Sequence, residues 1–348
     1  MSRKLASIQR IYEITSIEGA DQIELAHVLG WQCVVRKGSF HPGDLAIYFE
    51  IDSFLPVRTE FEFLRDSCFV ESPILGSGFR IKTRKMRGQV SQGLLLPLSL
   101  FPEVGEPILG KDVSEVLCVR KWEIEERATT GGTIIGTLPS SIPHTDETRI
   151  QAMPELLDQF MGKQYYITTK MDGSSHSVSI DEEGFHVTGH NYEYADDEKS
   201  SFYDFVKRHD LKTVMEKYVR ENNIRTLAIQ GEFCGPGIQG NPLRLIAPEW
   251  YVFTILVNGK RVGLEKIQEA TKALDLQMVP VEEVGKDLLK AYPSVSALLS
   301  RAEGSYPNGG PKEGIVIRPL EPVFSPLISA PLSMKVINNE YLLRGKKK

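Results

Sequence analysis

Residues 165–180 read YYITTKMDGSSHSVSI, and two readings of this stretch compete. Asp172-Gly173 between β-branched and aromatic runs is a hairpin signal, and Lys170 is then a solvated charge beside a turn. The other reading makes Lys170 a nucleophile held at a strand end. A Lys-x-Asp-Gly string arises by chance in roughly one chain in ten of this size, so its company must decide.

The chain has 348 residues, 41% hydrophobic and 25% charged, more than one core organises, which predicts two domains of ordinary soluble composition. No run approaches the roughly 18 apolar residues of a membrane span, and MSRKLASIQR leads into polar sequence rather than a signal core. A cytoplasmic, intracellular location is expected. Cys33, Cys68, Cys118 and Cys234 lie far apart with no Cys-x-x-Cys pair; they read as reduced structural thiols, without a zinc site. A net charge of −5 does not advertise a nucleic-acid binder, but binding depends on where cations sit rather than on their sum.

Residues 1–120 alternate short β-rich runs with turn signals such as His41-Pro42-Gly43-Asp44, the pattern of a small β-barrel. The Gly-, Ser-, Thr- and Pro-rich stretch at 121–143 reads as a linker. Residues 144–348 then mix strands with longer helical segments. Thr145 is placed to cap a helix over TDETRIQAM and Pro154 to open the next. SFYDFVKRHDLKTVMEKYVREN has helical amphipathicity, TLAIQGEF reads as a strand, and WYVFTILVNGKRVG reads as a hairpin turning at Asn258-Gly259.

Several motifs carry chemistry. GPGIQG (235–240) matches G-x-G-x-x-G in letters, but Asn241-Pro242 follows where a helix must begin, which excludes a dinucleotide fingerprint. FRIKTRKMRGQV holds Arg80, Lys82, Arg84, Lys85 and Arg87 without an acid. As one strand it would line Arg80, Lys82 and Arg84 along a single face, suited to a phosphate backbone; a solvated edge strand is the alternative. His186 and His190 are four apart around Gly189 and β-branched neighbours, so no metal-ligand pair is assigned. Downstream of Lys170 come Gln230-Gly231-Glu232 at a strand end, WYVFTI with Phe253, KEGIVIRP with Glu313 and SMKVINNEYLL with Lys335.

In that order these segments resemble nucleotidyltransferase motifs I, III, IIIa, IV and V of the covalent ligase and capping superfamily. Nearly the full length resembles ATP-dependent RNA ligases of the branch with an N-terminal OB-like domain and no C-terminal OB domain, for the chain ends soon after motif V. The resemblance implies an α+β fold: an OB-like β-barrel that binds nucleic acid (1–120), a linker (121–143), and an ATP-grasp-like nucleotidyltransferase domain of antiparallel sheets flanked by helices (144–348). It implies RNA repair by joining 3′-hydroxyl and 5′-phosphate ends, at nicks in duplexes, through lysyl-AMP and an adenylylated 5′ end. ATP and Mg²⁺ or Mn²⁺ would be the cofactors, nicked RNA the partner, and a monomer the working form.

By the same resemblance Lys170 attacks the ATP α-phosphate, Lys335 neutralises it, and Asp172 binds metal water or orients the reacting hydroxyl. Glu313 would bind the divalent metal, Glu232 the ribose, Phe253 the adenine face and Arg149 a phosphate, with Thr168, Thr169 and Gly173 flanking the nucleotide. An unperturbed lysine is almost wholly protonated at pH 7, and burial beside a second cation such as Lys335 is expected to lower it. Three positions depart from the family pattern. Thr169 stands where many relatives place a glutamate that reads the adenine amino group, His190 replaces an arginine that contacts the sugar or 5′ end, and Ile337 replaces a second lysine. Two alternatives stay open: a catalytically impaired nucleic-acid-binding protein of the same fold, and a capping-type enzyme using GTP.

Overall fold

The computed structural model describes residues 3–122, 132–197 and 200–344. The chain divides into two compact units, Met1–Glu126 with Gln151–Pro154 and Arg127–Ile150 with Glu155–Lys348.

In the first unit, Ala6–Ser16 is the middle strand of a five-stranded antiparallel sheet, flanked by Leu45–Phe49 and Ile23–Val28. Its first half pairs with one neighbour and its second half with the other, and the register slips between Ile11 and Glu13. Such a bulge bends a strand, which lets it serve both sides of a barrel. A second sheet of Arg120–Lys121, Ser53–Pro56, Gly76–Arg80 and Phe69–Ser72 accompanies it. Trp31, Tyr48, Phe49, Phe54, Phe61, Phe79 and Phe101 fill the core. This is an OB-fold.

The basic run does not form the single stripe that its spacing predicts. The strand ends at Arg80, and Ile81 turns inward to 3% exposure. Its backbone pairs with Ser53 and Asp52. Arg80 is tied to Asp52 (3.3 Å) and stacks 4.7 Å from the Trp122 ring, and Arg84 donates to the Ser67 carbonyl. Lys82, Lys85 and Arg87 remain exposed. Ile81, inward between Arg80 and Lys82, keeps the β alternation; the stripe is lost because the strand stops at Arg80 and Arg84–Met86 belongs to a separate hairpin with Gln89–Ser91.

The linker reading also needs amendment. Residues 123–131 lie outside the described residues, but Ile134–Thr137 is an edge strand of the second unit, paired with Tyr192–Tyr194. The β-branched pair Ile134-Ile135 within Gly- and Thr-rich surroundings carries it.

The second unit is built on two sheets, antiparallel except where Gln277–Met278 runs parallel to Glu249–Val257 in the larger. The larger has Ser174–Asp181, Leu227–Cys234 and Glu249–Val257 at its centre, and the smaller runs Val281–Gly285, Tyr165–Lys170, Gly314–Pro319, Met334–Ile337. Helices Ser201–Arg208, Leu211–Glu221 and Leu264–Ala273 cover the larger sheet, burying Phe202, Phe205, Met215 and Ile267 against Val178, Ile229 and Trp250. Ser200 caps the first helix by accepting from Tyr203 N, and Asp210 at φ 45° separates it from the second. The Asn258-Gly259 hairpin turn is present, with φ of 50° and 75°.

The TDETRIQAM helix is absent. Thr145 Oγ1 bonds Ser175 Oγ (2.8 Å), Glu147 meets Arg318, and Thr148 O accepts from Lys335 N. Tertiary partners hold residues 145–149 out of a helix and override the capping signal, and only a single 3₁₀ turn, Ile150–Ala152, forms within the segment.

The decisive stretch is not a hairpin. Tyr165–Lys170 pairs with Val281–Gly285 and Gly314–Pro319, while Ser174–Asp181 pairs in the other sheet. Met171-Asp172-Gly173 is a crossing from one sheet to the other. A Cβ on Gly173 would lie 2.4 Å from Phe233 O and 2.7 Å from Cys234 Sγ, so close approach rather than turn geometry demands glycine.

Candidate active site

A cleft of about 190 Å³ is lined from both sheets. The smaller sheet contributes Thr168, Thr169, Lys170, Val316, Arg318 and Lys335; the larger contributes Ser175, Glu232 and Phe253. Met171, Val279, Val316 and Phe253 give it an apolar part, and the two lysines with Glu232 a charged one.

Lys170, the last residue of its strand, points its Nζ at Glu313 Oε2, 2.7 Å away. The next strand begins at Gly314, whose missing Cβ would fall 2.1 Å from Val336 O. That vacancy lets the segments carrying Glu313 and Lys335 lie side by side. Glu232, from the larger sheet, accepts from Gly173 N (3.0 Å). Asp172 is buried at 7% and accepts from Tyr341 Oη (2.8 Å). Tyr306 Oη donates to Lys170 O (2.8 Å) and accepts from Glu313 N (3.1 Å).

Burial alone would depress Lys170, but Glu313 and Glu232, followed by Asp172, override it and hold its pKa above the ordinary lysine value. The expectation of a lowered Lys170 is therefore reversed: this cluster of side chains stabilises the ammonium. Lys335 is the depressed amine, at about 8, through burial and then the charges of Lys170 and Arg149. Burial pushes Glu232 up to about 7, against the pull of Lys170.

Of the residues expected at the nucleotide, Thr168, Thr169, Lys170, Glu232, Phe253 and Lys335 line the cleft. Asp172, Gly173 and Glu313 adjoin it through the contacts above. Arg149 forms a parallel bridge with Lys335 and is not among the lining residues. His190, expected at the nucleic-acid end, lines the cleft itself, 3.4 Å from both Thr145 Oγ1 and Asp146 Oδ2. Arg80, Lys82, Arg84, Lys85 and Arg87 belong to the other unit.

Five residues at the site were not singled out in the sequence: Tyr306 and Glu282 lie outside the quoted segments, while Glu147, Arg318 and Tyr341 stand inside TDETRIQAM, KEGIVIRP and SMKVINNEYLL without a role assigned to them. Thr169 Oγ1 donates to Glu282 Oε1 (2.8 Å), and that carboxylate also takes Lys312 Nζ (2.6 and 2.7 Å) and Arg301 Nη1 (2.7 Å). Arg318 meets Glu147 (2.5 Å), donates to Phe253 O, and sits 6.0 Å from the Phe253 ring. With side chains 6% and 12% exposed, neither charge has an alternative in water. Arg318→Met is expected to lower unfolding free energy by about 3–5 kcal/mol by stranding Glu147, and Arg318→Met with Glu147→Leu to recover most of it, as read by urea denaturation.

Among the described residues no group of three or more His, Cys, Asp or Glu side chains converges as a metal cage. Magnesium and manganese need none when one or two carboxylates act together with phosphate oxygens and water. Glu313, partly exposed and beside Lys170, fits such a role, and the flat apolar walls with a charged end fit a nucleoside phosphate.

Comparison with known proteins follows the same lines. An OB-fold domain model matches residues 5–98, and an RNA ligase model matches residues 163–337. A solved structure of Naegleria gruberi RNA ligase with PPi is similar across 100% of both chains, at 32% identity and a TM-score of 0.88. A lysine-to-alanine variant of that ligase with ATP and Mn matches over 99% of this chain and 100% of its own, at 31% identity and a TM-score of 0.86. No curated protein sequence matches. No helix among the described residues is long and apolar enough to cross a membrane. Half the chain under the ligase model and full-length similarity above 30% identity place it plainly: the chain belongs to the RNA ligase family.

Proposed function

We propose that this chain is an ATP-dependent RNA ligase that seals 3′-hydroxyl to 5′-phosphate ends at nicks in duplexes, in RNA repair, by way of AMP on Lys170. The observation that carries the reading is the convergence of Lys170 and Lys335 with Glu232 and Phe253 on one cleft. Lys170 Nζ forms a bond to the α-phosphorus and pyrophosphate leaves; the AMP then moves to a 5′-phosphate, and a 3′-hydroxyl displaces it. Lys335 is the cation for the α-phosphate, Glu232 the acceptor for the ribose, and Phe253 the stacking face for adenine. Asp172 orients the reacting hydroxyl or metal water, and Arg149 lies behind Lys335 as a further positive charge toward phosphate. Glu313 would hold a divalent ion, whose charge would offset the carboxylates around Lys170. Lys170 must shed its proton before attack, and the carboxylates that hold it are the groups such an ion neutralises. Lys82, Lys85 and Arg87 of the OB-fold are the exposed cations for a phosphate backbone, with Arg80 and Arg84 anchoring the loop that presents them. The test is incubation with α-labelled ATP or GTP and Mg²⁺ or Mn²⁺, followed by denaturing gels. A labelled chain with ATP supports the reading, and no adduct with either nucleotide removes it.

Thr169 supplies the base preference. A hydroxyl has one proton to give, and here it is committed to Glu282, which Lys312 and Arg301 keep ionised with a lowered pKa despite burial. Toward the cleft Thr169 is thus only an acceptor, matching the 6-amino group of adenine and opposing the 6-oxo group of guanine. Thr169→Val is expected to cut the ATP over GTP preference in adduct formation by about tenfold. An unchanged ratio would count against this role.

A further inference from the structure

We propose that Tyr341 is a positioning residue for Asp172, its phenol proton fixing the direction in which that carboxylate faces. This rests on the role given to Asp172 above. Tyr341 lies beyond the region matched by the ligase model, which ends at residue 337, and although the quoted segment SMKVINNEYLL contains it, no role was expected of it there.

The geometry places the phenol deliberately. Asn338, fully buried, donates its backbone N–H to Glu313 O (2.9 Å), and its side-chain amide to Lys312 O (3.1 Å) and Gly304 O (3.3 Å). Its Oδ1 accepts from Glu340 N (3.0 Å) at the start of helix Asn339–Arg344. The origin of that helix is therefore pinned to the loop that carries Glu313 and, through Tyr306, the carbonyl of Lys170. One turn on, Tyr341 Oη reaches Asp172 Oδ2 at 2.8 Å.

The electrostatics give the bond its purpose. Asp172 faces Lys170 from its own strand, Glu232 and Cys234 from the larger sheet, and Glu313, Tyr306 and Tyr341 from the segments that close over it. Several like charges crowd a carboxylate that water barely reaches. A donor that carries no charge can hold Oδ2 in place, and so set the plane of the carboxylate, without competing for Lys170. Tyr341 stays protonated in this setting, since burial and the surrounding carboxylates raise its pKa.

The experiment uses the full chain, with single-turnover measurement of adduct formation and of sealing of a pre-adenylylated nick. Tyr341→Phe removes one oxygen. It is expected to slow the step that Asp172 serves about tenfold at saturating ATP, with KM for ATP changed by less than about twofold. In an Asp172→Asn background the same substitution is expected to add no further loss, because its effect passes through that carboxylate. A parent-like rate for Tyr341→Phe beside a slow Asp172→Asn overturns this proposal alone. A parent-like Asp172→Asn overturns the role given to Asp172 and the proposal with it. Full additivity of the two losses, or a Tyr341→Phe chain that fails to fold, would make the tyrosine a structural prop and would also overturn it.

Discussion

Lys170→Ala is expected to give no labelled protein with α-labelled ATP, a loss of at least about 10⁴-fold in adduct formation. The result is not trivial, because protonation alone favours the other lysine. Lys335, depressed to about 8, carries more free amine at neutral pH than Lys170, whose pKa is raised. Two facts decide for Lys170. It is the strand end at the crossing between the sheets, beside all three carboxylates of the cluster. Lys335 in turn owes part of its depression to the charge of Lys170, so deleting Lys170 returns Lys335 toward full protonation and makes it a poorer nucleophile. An adduct that survives in Lys170→Ala and disappears in Lys335→Ala would exchange the two assignments.

Lys335→Met should separate catalysis from stability. A fixed cation aimed at developing phosphate charge contributes about 10²–10³-fold to rate, and a loss of that size in adduct formation is expected. Stability should move the opposite way, because the substitution removes a charge held out of water beside two other cations. The pH dependence carries a sign. The folded-state value of Lys335, about 8, lies below the ordinary 10.5, so between these pH values the unfolded chain binds more protons. The destabilisation from burying the charge is full below pH 8 and is relieved as pH rises toward 10.5. Thermal unfolding of the parent across that window should show this rise, and Lys335→Met should flatten it. Adduct formation should decline above pH 8 in the parent as Lys335 loses its charge, with the limb missing from the variant.

The sequence was most legible where strand period and motif coincide. Leu227–Cys234 and Gly314–Pro319 are nearly continuous apolar strands, so the acidic residue in or beside each stands out against buried neighbours. The barrel, the helix pair and the Asn258-Gly259 turn were legible for the same local reasons. What escaped depended on distant partners. Tyr341 and Asp172 are 169 residues apart, and Thr169 and Glu282 are 113 apart; no local pattern encodes such meetings. TDETRIQAM has good capping chemistry, yet Arg318, Ser175 and Lys335 hold its first half out of a helix, leaving one 3₁₀ turn at Ile150–Ala152. The basic run is split between the end of Gly76–Arg80 and the separate hairpin Arg84–Met86 with Gln89–Ser91, and nothing in the alternation of its five charges marks the break.

The crossing at Met171-Asp172-Gly173 has a mechanical meaning as well. The chain ties the two walls of the cleft here, where the bond from Gly173 to Glu232 clamps them, and again beside Thr169 at Val279-Pro280, between Gln277–Met278 of the larger sheet and Val281–Gly285 of the smaller. Walls joined along one edge part most at the opposite one. Any opening of the cleft is therefore expected to be smallest at these crossings, where Lys170 and Glu232 stand. On the proposed roles, the nitrogen of Lys170 and the carboxylate of Glu232 would keep their spacing while the rest of the wall moved.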